Sequence, residues 1–439
     1  MMYCHQDDLP DFDPLNTGME ARMEQQGCAE AQLLMNRRSM MGLSVGLFSL
    51  AFAPRIASAA GTAEPRLLIV LLRGGLDGLN VLPCYTSDYS DATRGSLYLR
   101  QAEQLDLGPG SSPFKLNRVM KNVHRMYLED DARFVLPIAP PLRTRSHFDC
   151  AFNLENGQFK SARSDSGWLN RLFANLSDRE KTTLGLKPLQ IGNTPVILTG
   201  GQPVLAWSPW SFRPDVFNTL SEDMIAQMYR GNSQRLAGVF TGGMEMNNAA
   251  VGLPEDRAYT NTLQRSFIGA ARLFAEPGRP RVAVLTVDNF DAHVSLADNT
   301  VKVLGNLDTS LGLFRERAKA DGIWDKTIVV CVSEFGRTVS DNSKGGSDHG
   351  IGTTALIVGG AVKRRGIMGN WPDLGNASAL AANNDIPAVY DTRDLFKAIL
   401  KEHLDIADDG TTKRFINTDV FPGVDTLPAG SSYLHNVLG

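Results

Sequence analysis

The chain has 439 residues, with 44 Lys and Arg against 48 Asp and Glu, a formal net charge of −4 and 43% hydrophobic residues. This is the composition of a globular protein with a substantial core, which excludes a disordered or collagen-like chain. Without a basic surplus no phosphate-backbone footprint is expected, and therefore no nucleic-acid partner.

In chain order, residues 1–34 are polar and rich in Met, Gln and Glu, and read as an over-extended start, with Met35 the preferred first residue. Arg37 and Arg38 then precede an apolar run from Met40 to Ala53 and the small residues Ala57, Ser58 and Ala59. That is the pattern of a Tat export signal over 35–59, cut after Ala59, although Met40 and Met41 stand where the motif usually continues with Phe-Leu. The apolar run is shorter than the roughly 20 residues that span a bilayer, so no permanent membrane span is expected. The expected partner during export is the Tat translocase, and the expected location is the periplasm or the medium. Beyond the cut only Cys84, Cys150 and Cys331 remain, an odd number that leaves room for one bridge but no disulfide framework, and none has zinc-site spacing.

From residue 60 onward short apolar runs alternate with helical patterns, which predicts one α/β domain over 60–439: three layers, a mostly parallel sheet with helices on both faces. The run RLLIVLL is continuous rather than alternating, as in a strand buried on both sides. Lys115 to Asp130 carries Leu116, Val119, Met120, Val123, Met126 and Tyr127 on one stripe and predicts a helix. RFVLPIAP predicts a strand, and SHFDCAFNLENG a helix with Ser146 as its N-cap. Residues 195–255 are irregular and read as loops or an inserted cap. The helix AYTNTLQRSFIGAARLFAE, the strand RVAVLTVD, a long helix through VKVLGNLDTSLGLFRERAKA, the strands TIVVCVSE and TALIVGG, and a helix near TRDLFKAILKEHL complete the chain.

Ligands of open parallel sheets bind beyond the carboxyl ends of the strands, so the residues just after each apolar run are the candidates. Those positions hold Asp77; Ser146 and His147; Asp288, Asp291 and His293; Glu334 and Arg337; and, in the loop GGSDHG, Asp348 and His349. Several carboxylates at one sheet edge repel unless a cation lies between them. Histidines added to the set suit zinc, manganese or iron, whereas its carboxylate part also suits magnesium or calcium. Each residue has an ordinary reading too. Ser146 can be an N-cap alone, His147 a packing or outer residue, Asp77 a turn residue, and Glu334 and Arg337 a local ion pair. The loop SKGGSDHG lacks the spacing of a phosphate-binding P-loop.

The motifs LLRGGLDGLN, RSHFDCAFNLENG, GWLNR, SEFGRT and DHGIGTTALIVGG, taken in order from about Leu67 to YDTRDLF, resemble a bacterial family of Tat-exported proteins defined as a domain of unknown function. That family is grouped with the alkaline phosphatase and sulfatase superfamily. The resemblance implies an early metal-binding Asp at Asp77 and a nucleophile at Ser146. It also implies a mid-chain Asp and His at Asp291 and His293, and a late His at His349. Glu334 and Phe335 stand where relatives have Asp and His, so a second metal site lacks a ligand. One residue lies between Asp291 and His293 and four between Asp288 and His293, against three intervening residues in the superfamily, which leaves open which Asp binds. The expectation is an exported metal-dependent hydrolase of phosphate or sulfate esters, acting on a small ester or a glycan. Asp77, Asp291, His293, Glu334 and His349 are its expected metal ligands, and Asp288, Asp348 and His147 supporting or alternative ligands. Ser146 attacks, and Arg337 neutralises the transferred group. The alternative is a non-catalytic envelope binding or assembly protein that keeps the fold with a degraded metal site.

Overall fold

The computed structural model describes residues 64–439 except 85–87, 112, 159–165, 185–186, 194, 210–258, 260, 277–279, 377, 382–383, 407–418 and 423–431. The expected export signal and most of the expected cap lie outside these residues. No helix among the described residues is long and apolar enough to cross a membrane.

The strands are β1 (Arg66–Leu72), β2 (Gln104–Asp106), β3 (Lys115–Asn117), β4 (Ala132–Ala139), β5 (Leu189–Ile191), β6 (Leu205–Trp207), β7 (Val282–Val287), β8 (Thr327–Ser333), β9 (Thr353–Val358), β10 (Gly366–Met368) and β11 (Tyr390–Asp391). Nine of them form one sheet in the order β10-β4-β9-β8-β1-β7-β5-β6, with β11 beside β4. Strand β1 is central and pairs in parallel with both β7 and β8, Leu67 lying opposite Val282 on one side and Ile328 on the other. The sheet is mostly parallel, and β9 is the exception, antiparallel to both β8 and β4.

Every residue of β1 is buried, and the period-2 geometry of a strand divides them between the faces. Leu68, Val70 and Leu72 enter one core with Val123 and Met126 of α1 (Lys121–Leu128), and with Phe267 of α4 (Thr262–Ala275) and Leu304, Leu311 and Phe314 of α5 (Leu296–Ala320). Leu67, Ile69 and Leu71 enter the other core with Leu169, Leu172 and Phe173 of α3 (Trp168–Asn175) and Leu395, Phe396 and Ile399 of α6 (Thr392–Glu402). The remaining helix of the framework is α2 (His147–Asn156). Two apolar layers on opposite sides of one sheet explain why the strand sequences are unbroken apolar runs.

The helix expected from Lys115 begins only at Lys121, because Lys115–Asn117 pairs with Gln104–Asp106 as β3. The Asn117 side chain accepts from Val119 N and donates to Asn80 O, a local bonding pattern that competes with a helical start. Cys84, Cys150 and Cys331 are all buried.

Candidate metal centre

Strands β1, β4, β7 and β8 run the same way, and their carboxyl ends deliver one cluster. The segment after β4 carries His147 as the first residue of α2, the segment after β7 carries Asp291 and His293, and the loop between β8 and β9 returns His349 through a short antiparallel bridge to Arg337. His147 Nε2 lies 3.1 Å from His349 Nε2, and Asp291 is 3.3 Å from each of them. Donors bonded at about 2.0–2.1 Å to a tetrahedral ion stand about 3.3 Å apart, so this triad has the spacing of a metal-ligand set. His293 Nε2 adds a fourth donor on the solvent side, 2.9 Å from His349 Nε2 and 3.0 Å from Asp291 Oδ1, with 44% of its side chain exposed.

The other ring nitrogens explain why these Nε2 atoms are bare. His147 Nδ1 donates to Glu334 Oε1 at 2.9 Å, and His349 Nδ1 donates to the carbonyl of Arg145 at 2.8 Å. A proton held at Nδ1 leaves a lone pair at Nε2, and lone pairs aimed at one another repel unless positive charge lies between them. The cluster draws such charge. Burial pulls the His147 pKa down but is outweighed by its bonds to Asp291 and Glu334 and by their charges, which push it up to about 9. For Asp291, burial favours the neutral acid, yet His147, His349 and the Arg337 guanidinium hold it well below the usual carboxylate range.

The glycines after β1 let three loops close together: Gly74 has φ +115°, and a Cβ there would lie 2.2 Å from Asp291 N, while a Cβ on Gly75 would enter the Phe335 ring. Gly74 N donates to Glu334 Oε1 at 2.7 Å. Phe335, 1% exposed, forms an apolar floor, its ring centroid 4.6 Å from that of His147 and 4.9 Å from that of His349.

Several expected roles change. Glu334, expected to bind metal directly, stands behind His147: one oxygen serves His147 and Gly74, and the other accepts from the Ser333 hydroxyl. His147, expected as a packing residue, a supporting residue or an alternative ligand, is in the triad. Asp77 caps the single-turn helix Gly78–Val81 and is bound by Arg94 at 2.6 Å, in a pair with almost no exposure. Its carboxylate is thus committed elsewhere. Arg337 is not open to a transferred group. It is 1% exposed and donates to the carbonyls of Gly74, Gly75, Ser347 and Phe290 and to Asp291 Oδ1, so it fixes Asp291 and ties the strand-end loops together.

Ser146 Oγ accepts from Asp149 N as the N-cap of α2, one residue before His147. Asp288 is exposed on the segment after β7 and outside the triad. Desolvation raises its pKa, with the Arg73 charge opposing and the Glu334 charge adding. Asp348 is 69% exposed; its Oδ1 lies 3.5 Å from the outer nitrogen of His293 and accepts from Asn342 Nδ2 at 3.4 Å. A cleft of about 810 Å³ lined by Arg133, Arg364 and Arg365 lies at the opposite end of β4, where β10 pairs with it, and is unrelated to this centre.

Residues 140–416 match the model of a family described as "Protein of unknown function (DUF1501)". No curated protein matches the chain. Similar solved structures include Ps i-CgsB, with 11% identity over 69% of this chain and 68% of that one and a TM-score of 0.34. The lipoteichoic acid synthase LtaP from Listeria monocytogenes gives 8% identity, 76% and 72% coverage and a TM-score of 0.30. Alkaline phosphatase from the Antarctic bacterium TAB5 gives 10%, 70% and 94%, and 0.29. Likeness at this level carries no information about chemistry.

Proposed function

The chain belongs to the DUF1501 family, whose model matches the stretch that carries the cluster, and we propose that it is an exported metal-dependent hydrolase of phosphate or sulfate esters working with one metal ion. The ligands are His147, Asp291 and His349, with His293 on the open side. The observation that carries this reading is the convergence of three imidazole Nε2 atoms on Asp291, with the Nδ1 atoms of His147 and His349 anchored by acceptors. A set of imidazoles with one carboxylate suits zinc, manganese or iron, whereas magnesium and calcium prefer oxygen donors. A bound ion of that kind supplies Lewis acidity at an ester oxygen.

The remaining work falls to side chains of this chain. Glu334 fixes the His147 ring and raises its basicity, and Arg337 holds Asp291 in place. Ser146, at the N-terminus of α2 and next to His147, is the nucleophile: its Oγ bonds to phosphorus or sulfur while its hydroxyl proton passes to a water, the bond to the departing alkoxide breaks, and that alkoxide takes a proton back from the same water. A second water then releases the acid and restores the hydroxyl. The Tat signal read at 35–59 supports export and an encounter with the Tat translocase, and a small ester or glycan is the substrate expected at an open site.

A second reading, a non-catalytic binding or assembly protein, is favoured by two features: Arg94 occupies Asp77, and Phe335, which packs against His147, stands where the superfamily resemblance implies a second-site histidine. Assays of metal-loaded protein on aryl phosphates and aryl sulfates separate the two. Turnover abolished by Ser146→Ala supports the hydrolase, and absence of turnover with any divalent ion leaves the binding protein.

A further inference from the structure

The cleft beyond the amino end of β4 is used by no step of the proposed reaction. Its volume, about 810 Å³, suits a small molecule, and its walls mix cationic and apolar groups: Arg133 of β4, Arg364 and Arg365 just before β10, Tyr127 near the end of α1, Phe114 and Met368. Parallel pairing sets Arg133 opposite Gly366, which brings the backbone of Arg364 and Arg365 beside the start of β4.

Two of the three guanidiniums are left without a counter-ion. Arg365 is committed: it donates to the carbonyl of Leu128 at 3.2 Å, lies 3.9 Å from Asp130 and sits over the Tyr127 ring, 5.8 Å from its centroid. Arg133 and Arg364 have no carboxylate in ion-pair reach among the described residues. Glu402 is near enough for its charge to act on Arg133, but its two oxygens accept from Val437 N at 3.1 Å and Leu438 N at 3.0 Å. Arg133 Nη1 donates to the carbonyl of Arg364 at 2.9 Å, whereas its Nε is buried with no acceptor and no described group accepts from its Nη2. A Cβ placed on Gly439 would lie 2.5 Å from Arg133 Nη1 and 2.9 Å from Arg364 Cβ, so the guanidinium of one and the root of the other meet at one point of the wall. Even with a carboxylate at Gly439 counted beside Asp130, three guanidiniums on this lining face two carboxylates.

An exposed arginine such as Arg364 is ordinary by itself, since water solvates it. Arg133 differs, because it is half-buried: burial pulls its pKa down, Glu402 and Tyr127 oppose that, and the Arg364 charge adds to the fall. Unmet donors on a desolvated cation cost free energy that a bound anion recovers. Guanidinium forks match phosphate oxygens, and two neighbouring cations favour two negative charges over one.

We propose that this cleft is a second ligand site, which takes a small organic dianion of the phosphate monoester or phosphonate class, its anionic head at Arg133 and Arg364 and its organic part against Tyr127, Phe114 and Met368. No metal and no histidine of the cluster is needed for this binding.

The test is calorimetric titration of the full chain and of its His349→Ala variant, which takes the histidine cluster out of the count, at a pH where phenylphosphonate is doubly charged. Phenylphosphonate is expected to bind His349→Ala once per chain. Benzenesulfonate, with the same ring and one charge, binds at least about tenfold more weakly, and inorganic phosphate, with no ring, at least about threefold more weakly. Arg364→Glu, at an exposed position, weakens phenylphosphonate by about tenfold or more in His349→Ala and removes the same binding event from the otherwise unaltered chain. Absence of saturable binding to His349→Ala, equal affinity for benzenesulfonate or for inorganic phosphate, or an affinity that Arg364→Glu leaves within about twofold overturns the proposal.

Discussion

Glu334→Gln is the most informative single change, because it separates holding a metal from holding a ligand. The Glu334 side chain is 2% exposed, with Oε1 2.9 Å from His147 Nδ1 and 2.7 Å from Gly74 N, and Oε2 3.0 Å from Ser333 Oγ. A glutamine oxygen accepts from the same two N–H groups. Its amide donates to Ser333 Oγ, whose own proton is free to go to the carbonyl of Leu72 at 2.8 Å. The hydrogen-bond count survives, so the folding cost stays near the ~1 kcal/mol of one altered bond. What disappears is the negative charge that makes His147 a better donor. Loss of such a partner typically lowers metal affinity by about 10–100-fold, which is about 1.4–2.8 kcal/mol. Competition against a chromophoric chelator measures this directly. An affinity within twofold of the parent refutes the role assigned to Glu334, and a loss beyond about 10⁴-fold shows that Glu334 is itself a ligand and the placement of His147 in front of it is wrong.

The other predictions concern the residues whose expected roles the structure alters. Asp77→Ala strands the fully buried Arg94 and costs about 3–5 kcal/mol in denaturant unfolding, yet metal affinity, measured on folded protein, stays at the parent value. Arg337→Lys replaces a fork serving four carbonyls and Asp291 by one ammonium; unfolding shows a loss of about 3 kcal/mol or more, with weaker metal binding as Asp291 loosens. Ser146→Ala removes the N-cap of α2 for about 1 kcal/mol of stability, and turnover falls by far more than that energy accounts for. His403 donates to the carbonyl of Arg66 at 2.8 Å, and burial pulls its pKa down to about 4. A depressed folded pKa means its contribution is intact above about pH 6.5 and lost as pH falls toward 4, by at most about 3 kcal/mol. Urea unfolding followed across that window shows the slope, and His403→Gln flattens it.

The strands were the most legible part of the sequence. RLLIVLL and TIVVCVS are continuous apolar runs because helices cover both faces, and a strand buried on both sides has no polar phase to confuse it with a surface strand. The carboxyl-edge rule then drew attention to Asp291, His293 and His349, and to His147 beside Ser146. Lys115–Asn117 misleads because three residues of a strand followed by a helix happen to keep helical spacing. His147 gives no periodic signal, being one imidazole behind a serine that already explains itself as an N-cap. The order of Glu334 and His147 around an ion depends on side-chain reach and on Gly74 N binding the carboxylate, neither of which is written in spacing. Asp77 and Arg94 form a buried pair across 17 residues through a loop, and nothing local to Asp77 announces that partner. The expected export signal and most of residues 195–255 lie beyond the described part of the chain.

The central claim is tested most directly by metal content and coordination on purified protein. Elemental analysis with X-ray absorption at the metal edge should give one transition-metal ion per chain, bound by nitrogen and oxygen donors at about 2.0–2.2 Å, with the ion lost from His147→Ala and from His349→Ala but retained by Asp77→Asn. Retention of a full equivalent in His147→Ala, or an ion that departs with Asp77→Asn instead, contradicts the account.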